Sequence, residues 1–534
     1  MPAGASVLSD PAQVYVQARA AAMSGDHARS AALLATLAGS QPDQVDLARK
    51  ALTEALGAGQ FDLALSVASK LPEAKVPTDG RLLLVADAVK RRQLDRASGW
   101  LRGGEDNADL SFLAPLLTAW DAADRGDPDK AIATLDQVSS NSLLAPLRAE
   151  QEAYILLKFK RTAAAEPLAR RAIGSAGARE NRVRIALANA FVAAGDRDRA
   201  LIMIDGLGSD AAAARQRVLS GKLSGKPISS AAEGLSEVLT AFSGDIARLQ
   251  RGSPPIGLVQ VARFANSQNS SATMLLALLL DQNNRADEAL ALLRTIPRDD
   301  ALSSQVRDIQ VRVLTDSKRL DEAYAMAYAA ANAPAATVND LSRLGDVYSA
   351  MKRNNEAATI YGRAVALATQ QGFKSQIWPL LLVQANAYEE AGHWPETKQA
   401  LQQALVLSPD QPLLLNFMGY AKLEHHEDLD AAEEMIRKAS ELAPDDASIT
   451  DSLGWAQFKR GKLADAITTL QRAAEKDPDQ SDIQEHLGDA LYKSGRRMEA
   501  RFAWNAALIT AEDEVARRVK AKLASGLTPA NAAP

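Results

Sequence analysis

Apolar residues recur along this chain at helical spacing, and the helical stretches are themselves repeated. DSLGWAQFKRG at 451–461 and EHLGDALYKSG at 485–495 set Leu453 and Leu487, Gly454 and Gly488, and Gly461 and Gly495 each 34 residues apart. A small residue just after a turn and a short polar link marks every unit. These anchors are Ser30, Ala64, Ala97, Ala131, Ala165 and Ala200, then Ala289, Ala323, Ala357, Thr397, Ala432, Ala466 and Ala500. A fixed period of this length, broken by turns, predicts stacked helical hairpins rather than one long coiled coil, which needs heptads. The first helix of a unit ends near Gly or Asn, as in AAGDRDRA at 193–200 and MKRNNEAA at 351–358, where a residue tolerating positive φ closes the turn. The second helix stops before Pro409, Pro444 and Pro478 in the last units, because proline cannot continue a helix. The reading is all-α, an α-α superhelix of about 13–14 hairpins with a C-terminal capping helix.

The period breaks once. Ala200 to Ala289 spans 89 residues, and inside it ISSAAEGLSEVLTAFSGDIARL and PPIGLVQVARFANSQ read as extra helices. The expected organisation is a flexible start at 1–10, hairpins over 11–207 and an irregular joint at 208–270. Degenerate hairpins follow at 271–336, then well-formed repeats at 337–512, a cap at 513–525 and a frayed tail at 526–534. The cap carries Val515, Val519 and Leu523 on one narrow stripe, with charge elsewhere, as suits a solvated end.

Composition changes this picture little. Aromatics are 5% of the 534 residues, so Ala and Leu must fill the cores, and both favour helix. A net charge of −5 without a concentrated basic face argues against nucleic-acid binding. Zero cysteines exclude disulfides, thiolate metal sites and a cysteine nucleophile. The longest apolar run, TMLLALLL at 273–280, is far short of the roughly 20 residues of a membrane span. MPAGASVLSDPAQVYVQARAAAMSGD lacks a basic region followed by an apolar one, so the sequence as written is expected in the cytoplasm. Removal of a leader would place it in the periplasm or envelope.

Candidate chemistry is sparse. GKLSGKP at 221–227 fails the phosphate-loop pattern, since Ser220 stands where the first glycine belongs and Pro227 where the hydroxyl belongs. EHHED at 424–428 clusters potential metal ligands, but adjacent side chains in a short turn suit a solvated loop better. No catalytic constellation is present, and neither cofactor nor metal is expected.

The residues that do carry meaning are those of the repeat. Leu453, Gly454, Ala466, Leu470, Ala473 and Pro478 in 447–480 resemble the signature positions of tetratricopeptide repeats. So do Leu487, Gly488, Leu491, Ala500, Trp504 and Ala507 in 481–514, and Leu341, Leu344, Gly345, Tyr348, Ala357, Tyr361 and Ala364 in 338–371. The resemblance implies a groove lined by first-helix positions that holds a segment of another protein. Carried onto this chain, those positions include Asn386, Asn416, Tyr420, Asp451, Trp455, Phe458, Lys459, Glu485, Asp489, Tyr492 and Lys493. Trp455 is the favoured anchor, being a large flat side chain with one donor. Asp451, Glu485 and Asp489 would make the groove acidic, unlike the Lys and Asn grip by which some family members hold C-terminal carboxylates. Over roughly 379–510 the series is similar to bacterial multi-repeat envelope proteins, a group that includes the lipoprotein adaptor of a C-terminal processing protease. That likeness implies a scaffold or adaptor in envelope assembly or regulated proteolysis. The alternative is a regulatory or assembly subunit of an enzyme complex, as in polysaccharide export or glycosyl transfer. Self-association stays open in both.

Overall fold

The computed structural model describes residues 10–103, 108–207, 211–221, 226–249 and 254–533. The expected flexible start, apart from residue 10, and the centre of GKLSGKP lie outside these. Thirty α-helices follow one another among the described residues, with no strand. The first six hairpins are α1 (Pro11–Met23) with α2 (His27–Ser40), α3 (Val45–Gly57) with α4 (Phe61–Ala68), α5 (Thr78–Lys90) with α6 (Leu94–Gly99), α7 (Ala114–Asp124) with α8 (Pro128–Asp136), α9 (Arg148–Lys158) with α10 (Thr162–Ser175), and α11 (Glu180–Ala194) with α12 (Arg197–Ile204). A single α13 (Ala211–Ser220) precedes α14 (Ala231–Leu249) with α15 (Ile256–Ala265), α16 (Ser270–Gln282) with α17 (Ala286–Leu293), and α18 (Ser303–Asp316) with α19 (Leu320–Ala331). These belong to one compact unit, Met1–Thr337. The second unit, Val338–Pro534, holds α20 (Val338–Ala350) with α21 (Asn354–Gln370), α22 (Lys374–Glu390) with α23 (Trp394–Leu407), α24 (Pro412–Glu424) with α25 (Leu429–Leu442), α26 (Ala447–Lys459) with α27 (Leu463–Lys476), α28 (Ser481–Lys493) with α29 (Arg497–Thr510), and a last helix α30 (Asp513–Ser525).

Each hairpin closes for the same reason. All thirteen anchors from Ser30 to Ala500 are at most 1% exposed, because the second helix approaches the first closely at that point. A side chain on the facing first-helix glycine would be intolerable: a Cβ on Gly488 would sit 2.3 Å from Trp504. The turn within every anchored hairpin contains a residue at positive φ, joined by Asp428 in the turn of His426. It is glycine in seven of them and Arg92, Lys160, Asn284, Lys318, Lys352 or His426 in the other six. Arg496 N–H donating back to the Leu491 carbonyl at 2.9 Å shows the bond that this left-handed residue permits. In MKRNNEAA the structure corrects the expected turn residue. Lys352 takes φ 59°, while Asn354 already begins the next helix. Non-glycine residues there cost about 1–2 kcal/mol each, a strain the flanking hairpin contacts must offset.

The interval between Ala200 and Ala289 is neither a simple joint nor one more stacked repeat. Helices α14 and α15 fold back on the first-helix side of the unit, α15 against α3 and α5, α14 against α5 and α7. Phe264 packs at a tilt on Phe61 at 5.1 Å and its carbonyl accepts from Lys90 at 2.8 Å, while Phe242 meets Phe112 at 5.6 Å. Gly234 lets α14 touch Trp120 and Gln151, where a Cβ would lie 2.4 Å from the indole nitrogen. Residues 234 to 241 are all buried, so α14 is a core helix rather than a surface one. Its polar residues are satisfied: Asn269 donates to Ser236, Glu237 and Thr240, and Glu237 pairs with Arg182 of α11. Burial raises the pKa of the neighbouring Glu150, against the opposing pull of Arg179. The groove that the repeats would leave open in this unit is filled by the chain itself.

At the other end, the expected frayed tail is folded. Asn531 donates to the Gly526 carbonyl at 2.9 Å, and the Ala533 N–H donates to Asp489 at 3.3 Å. Both residues are buried, which local sequence could not show because the acceptor lies 44 residues back.

Candidate functional site

In the second unit, first helices α24, α26 and α28 present equivalent faces, and the start of α30 closes the row. Between them lies a cleft of 1090 Å³ lined by Asn416, Phe417 and Tyr420 of α24, Ser448, Asp451 and Ser452 of α26, and Gln480, Asp482 and His486 at α28. Glu512, Asp513, Glu514, Val515 and Arg518 at α30 complete it. Helix capping fixes the register. Asp446 accepts from the Ile449 N–H at 2.9 Å, starting α26 so that Ser448, Asp451 and Ser452 face the opening.

The expected groove residues divide into three groups. Asn416, Tyr420 and Asp451 come together in the cleft, the first two half-buried. Asn386 is exposed on α22 and does not line it, and Lys459 and Lys493 are exposed at the far end of their helices. Lys459 lies 5.2 Å above the Trp455 ring, and Lys493 lies 5.2 Å above that of Phe458. Trp455 itself is 0% exposed, stacked between Phe458 at 4.7 Å and His486 at 4.1 Å. It is therefore a core residue beneath the cleft and not the exposed anchor that the sequence favoured. Phe458 is buried beside it, and Tyr492 is half-buried against Trp504 at 5.3 Å.

The two remaining carboxylates are claimed internally. Glu485 and Asp489 are fully buried under α30, where Lys522, also 0% exposed, reaches them at 2.6 and 2.7 Å. Arg518 adds a second cation on Glu485 at 2.8 Å. Burial alone would raise the Glu485 pKa, but Arg518 and Lys522 outweigh it and hold the group below its ordinary value. Asp489 has only one cation, so burial prevails and its pKa is raised despite Lys522, the Ala533 N–H and the Trp504 indole. The acidity foreseen at these two positions is thus neutralised. A lysine in the last turn of an amphipathic cap is ordinarily solvated, so the sequence gives no signal that Lys522 is buried.

Acidity survives further along. Asp482, Glu512 and Asp513 are exposed at the cleft and form no salt bridge among the described residues. Asp451 accepts from His486 Nδ1 at 2.9 Å. Burial opposes charge on that imidazole, but Asp451, with Asp489 and Glu485 behind it, prevails and raises its pKa. Tyr420 is pushed up by burial first and then by Glu424, Asp451 and Asp482. Sequence reasoning missed Ser448 and Asp482, although both occupy the same repeat register, 34 residues apart. It could not see Phe417, which lies outside the family's groove positions, or the contribution of residues 512–518 from beyond the last repeat. No group of metal-binding side chains occurs among the described residues, and no helix there is long and apolar enough to cross a membrane.

The tetratricopeptide repeat family matches residues 452–515. The TPR repeat-containing protein PA4667 of Pseudomonas aeruginosa is 30% identical over 172 residues, which is 32% of this chain and 28% of that protein. The chain thus spans under a third of that relative. Among solved structures, Cut9 with Hcn1 in an APC/C hetero-tetramer aligns over 97% of both chains at 13% identity and TM-score 0.38. A tetratricopeptide repeat protein from Parabacteroides merdae aligns over 48% of this chain and 98% of its own, at 12% identity and TM-score 0.39.

Proposed function

We propose that this tetratricopeptide repeat chain is a non-enzymatic scaffold whose second unit holds a segment of another protein in the cleft between α24, α26, α28 and the start of α30. One observation carries the reading. The first-helix face of the first unit is filled by α14 and α15, whereas that of the second unit keeps a 1090 Å³ cleft with half-buried Phe417 and Tyr420 on its wall. Packed helices lie about 8–10 Å apart, so the row of three spans roughly 20 Å. At about 3.3 Å per residue, that accommodates about six residues of extended chain. Rigid aromatic and amide groups beside it suit protein recognition. The likeness of the C-terminal repeats to bacterial envelope proteins makes an adaptor in envelope assembly or regulated proteolysis the favoured setting.

The test is site-specific photo-crosslinking from position 420 in the source cell, with and without Ser448→Trp. Ser448 is exposed at the cleft, so tryptophan there obstructs the opening while leaving the core alone. A crosslinked protein that disappears with Ser448→Trp supports the cleft. The same proteins captured at equal yield in both would refute it.

A further inference from the structure

We propose that the occupant of this cleft is a cationic segment of the partner protein, its Lys or Arg side chains reaching Asp482, Glu512 and Asp513 beside the rings of Phe417 and Tyr420. The inference rests on the binding role argued above and adds the chemistry of the partner. Five carboxylates line the cleft, those of Asp451, Asp482, Glu512, Asp513 and Glu514, against Arg518, already engaged by Glu485 and Glu514, and His486, already engaged by Asp451. Concentrated like charge in a recess attracts and orients an oppositely charged chain. On the same wall the Oδ1 of Asn416 is buried without a hydrogen-bond partner. Aromatic rings beside carboxylates suit Lys and Arg further, since their cationic heads are attracted to ring faces.

The chain supplies its own precedent. At the next step along the row, Lys522 and Arg518 of α30 dock on α28 through Glu485 and Asp489. A cationic helix is therefore already seated on first-helix carboxylates, and the adjoining cleft continues that surface with Asp482, Glu512 and Asp513, which form no salt bridge among the described residues.

Fluorescence anisotropy of the full chain with a fluorescein-labelled alternating lysine–alanine peptide, against its glutamate–alanine counterpart, tests the charge. The lysine peptide should bind and weaken as salt rises. Asp482→Asn/Glu512→Gln/Asp513→Asn, all at exposed positions, should weaken it about tenfold or more at unchanged helicity, while Glu475→Gln on the outer face of α27 leaves it unaltered. Equal binding of both peptides, full binding by the triple variant, or displacement by free spermidine as effective as by the peptide would overturn the proposal. The crosslinked partner separates the two claims. Capture blocked by Ser448→Trp but untouched by the triple variant keeps the cleft and overturns the cationic partner. Capture blocked by neither defeats both.

Discussion

Replacing Lys522 with methionine is the sharpest test of how the second unit is closed. Lys522 is fully buried between Glu485 and Asp489, which are equally buried, at 2.6 and 2.7 Å. Lys522→Met keeps the volume but leaves two carboxylates in the interior with only Arg518, which reaches Glu485 alone. Breaking one side of a buried ion pair costs about 3–5 kcal/mol. For a unit of about 200 residues each kcal/mol lowers the melting temperature by about 2–4 °C, so a fall of roughly 6–20 °C is expected by circular dichroism. Repeat stacks open locally, and hydrogen exchange should speed first in α30 and the 526–533 tail, whose Ala533 N–H is anchored on Asp489.

The pH dependence carries the sign. In the native chain Glu485 has a lowered pKa, so its contribution is present above the ordinary carboxylate value and is lost as pH falls through the folded value. Asp489 has a raised pKa and acts oppositely. Without Lys522 the Asp489 pKa rises further and the depression of Glu485 is weakened. The deficit of Lys522→Met should then be small near pH 4 and grow as pH rises above it. Adding Asp489→Leu should recover part of the loss. A variant as stable as the native chain, or a deficit identical at pH 4 and pH 8, would refute a buried ionic closure.

Three further outcomes follow from the same contacts. Trp455→Ala should cost about 3–5 kcal/mol in urea unfolding of the second unit, since the indole is wholly buried and a cavity would remain; unchanged stability would put the ring at the surface after all. Gly234→Val should force α14 off Trp120, where even a Cβ would lie 2.4 Å from Nε1, and faster hydrogen exchange across 231–265 would report it; unaltered exchange would count against the filled groove. His486 should titrate above the ordinary value of about 6.5, and Asp451→Asn should lower its pKa in an NMR titration. Because the folded pKa is raised, that pairing stabilises below the ordinary value and is lost as pH rises through the folded one. A titration indifferent to Asp451→Asn would discard the pair.

The hairpins were legible because each rests on contacts within one period. A small residue must stand where two helices nearly touch, and a left-handed residue must close the turn between them. Ala466, Ala500 and Gly488 could be read for that reason. The turn residue itself was harder where lysine, arginine or histidine accepts strain, since nothing in MKRNNEAA marks Lys352 over its asparagines. The candidate site was only partly readable. Asn416, Tyr420 and Asp451 follow from register, but whether a register position is open depends on what lies over it. Trp455, Glu485 and Asp489 were covered by elements distant in sequence, and Asp513 joined the cleft from the cap.

The sequence by itself determined the class of helix, the period and the pairing into hairpins, all consequences of local spacing and side-chain size. Only the tertiary structure decided which first-helix faces remain open. That choice turns on long-range burial: α14 and α15 dock against α3, α5 and α7, and Lys522 reaches carboxylates 33 and 37 residues away. Such contacts form because apolar surface and paired charge are removed from water together, and no single repeat encodes where its distant cover will come from.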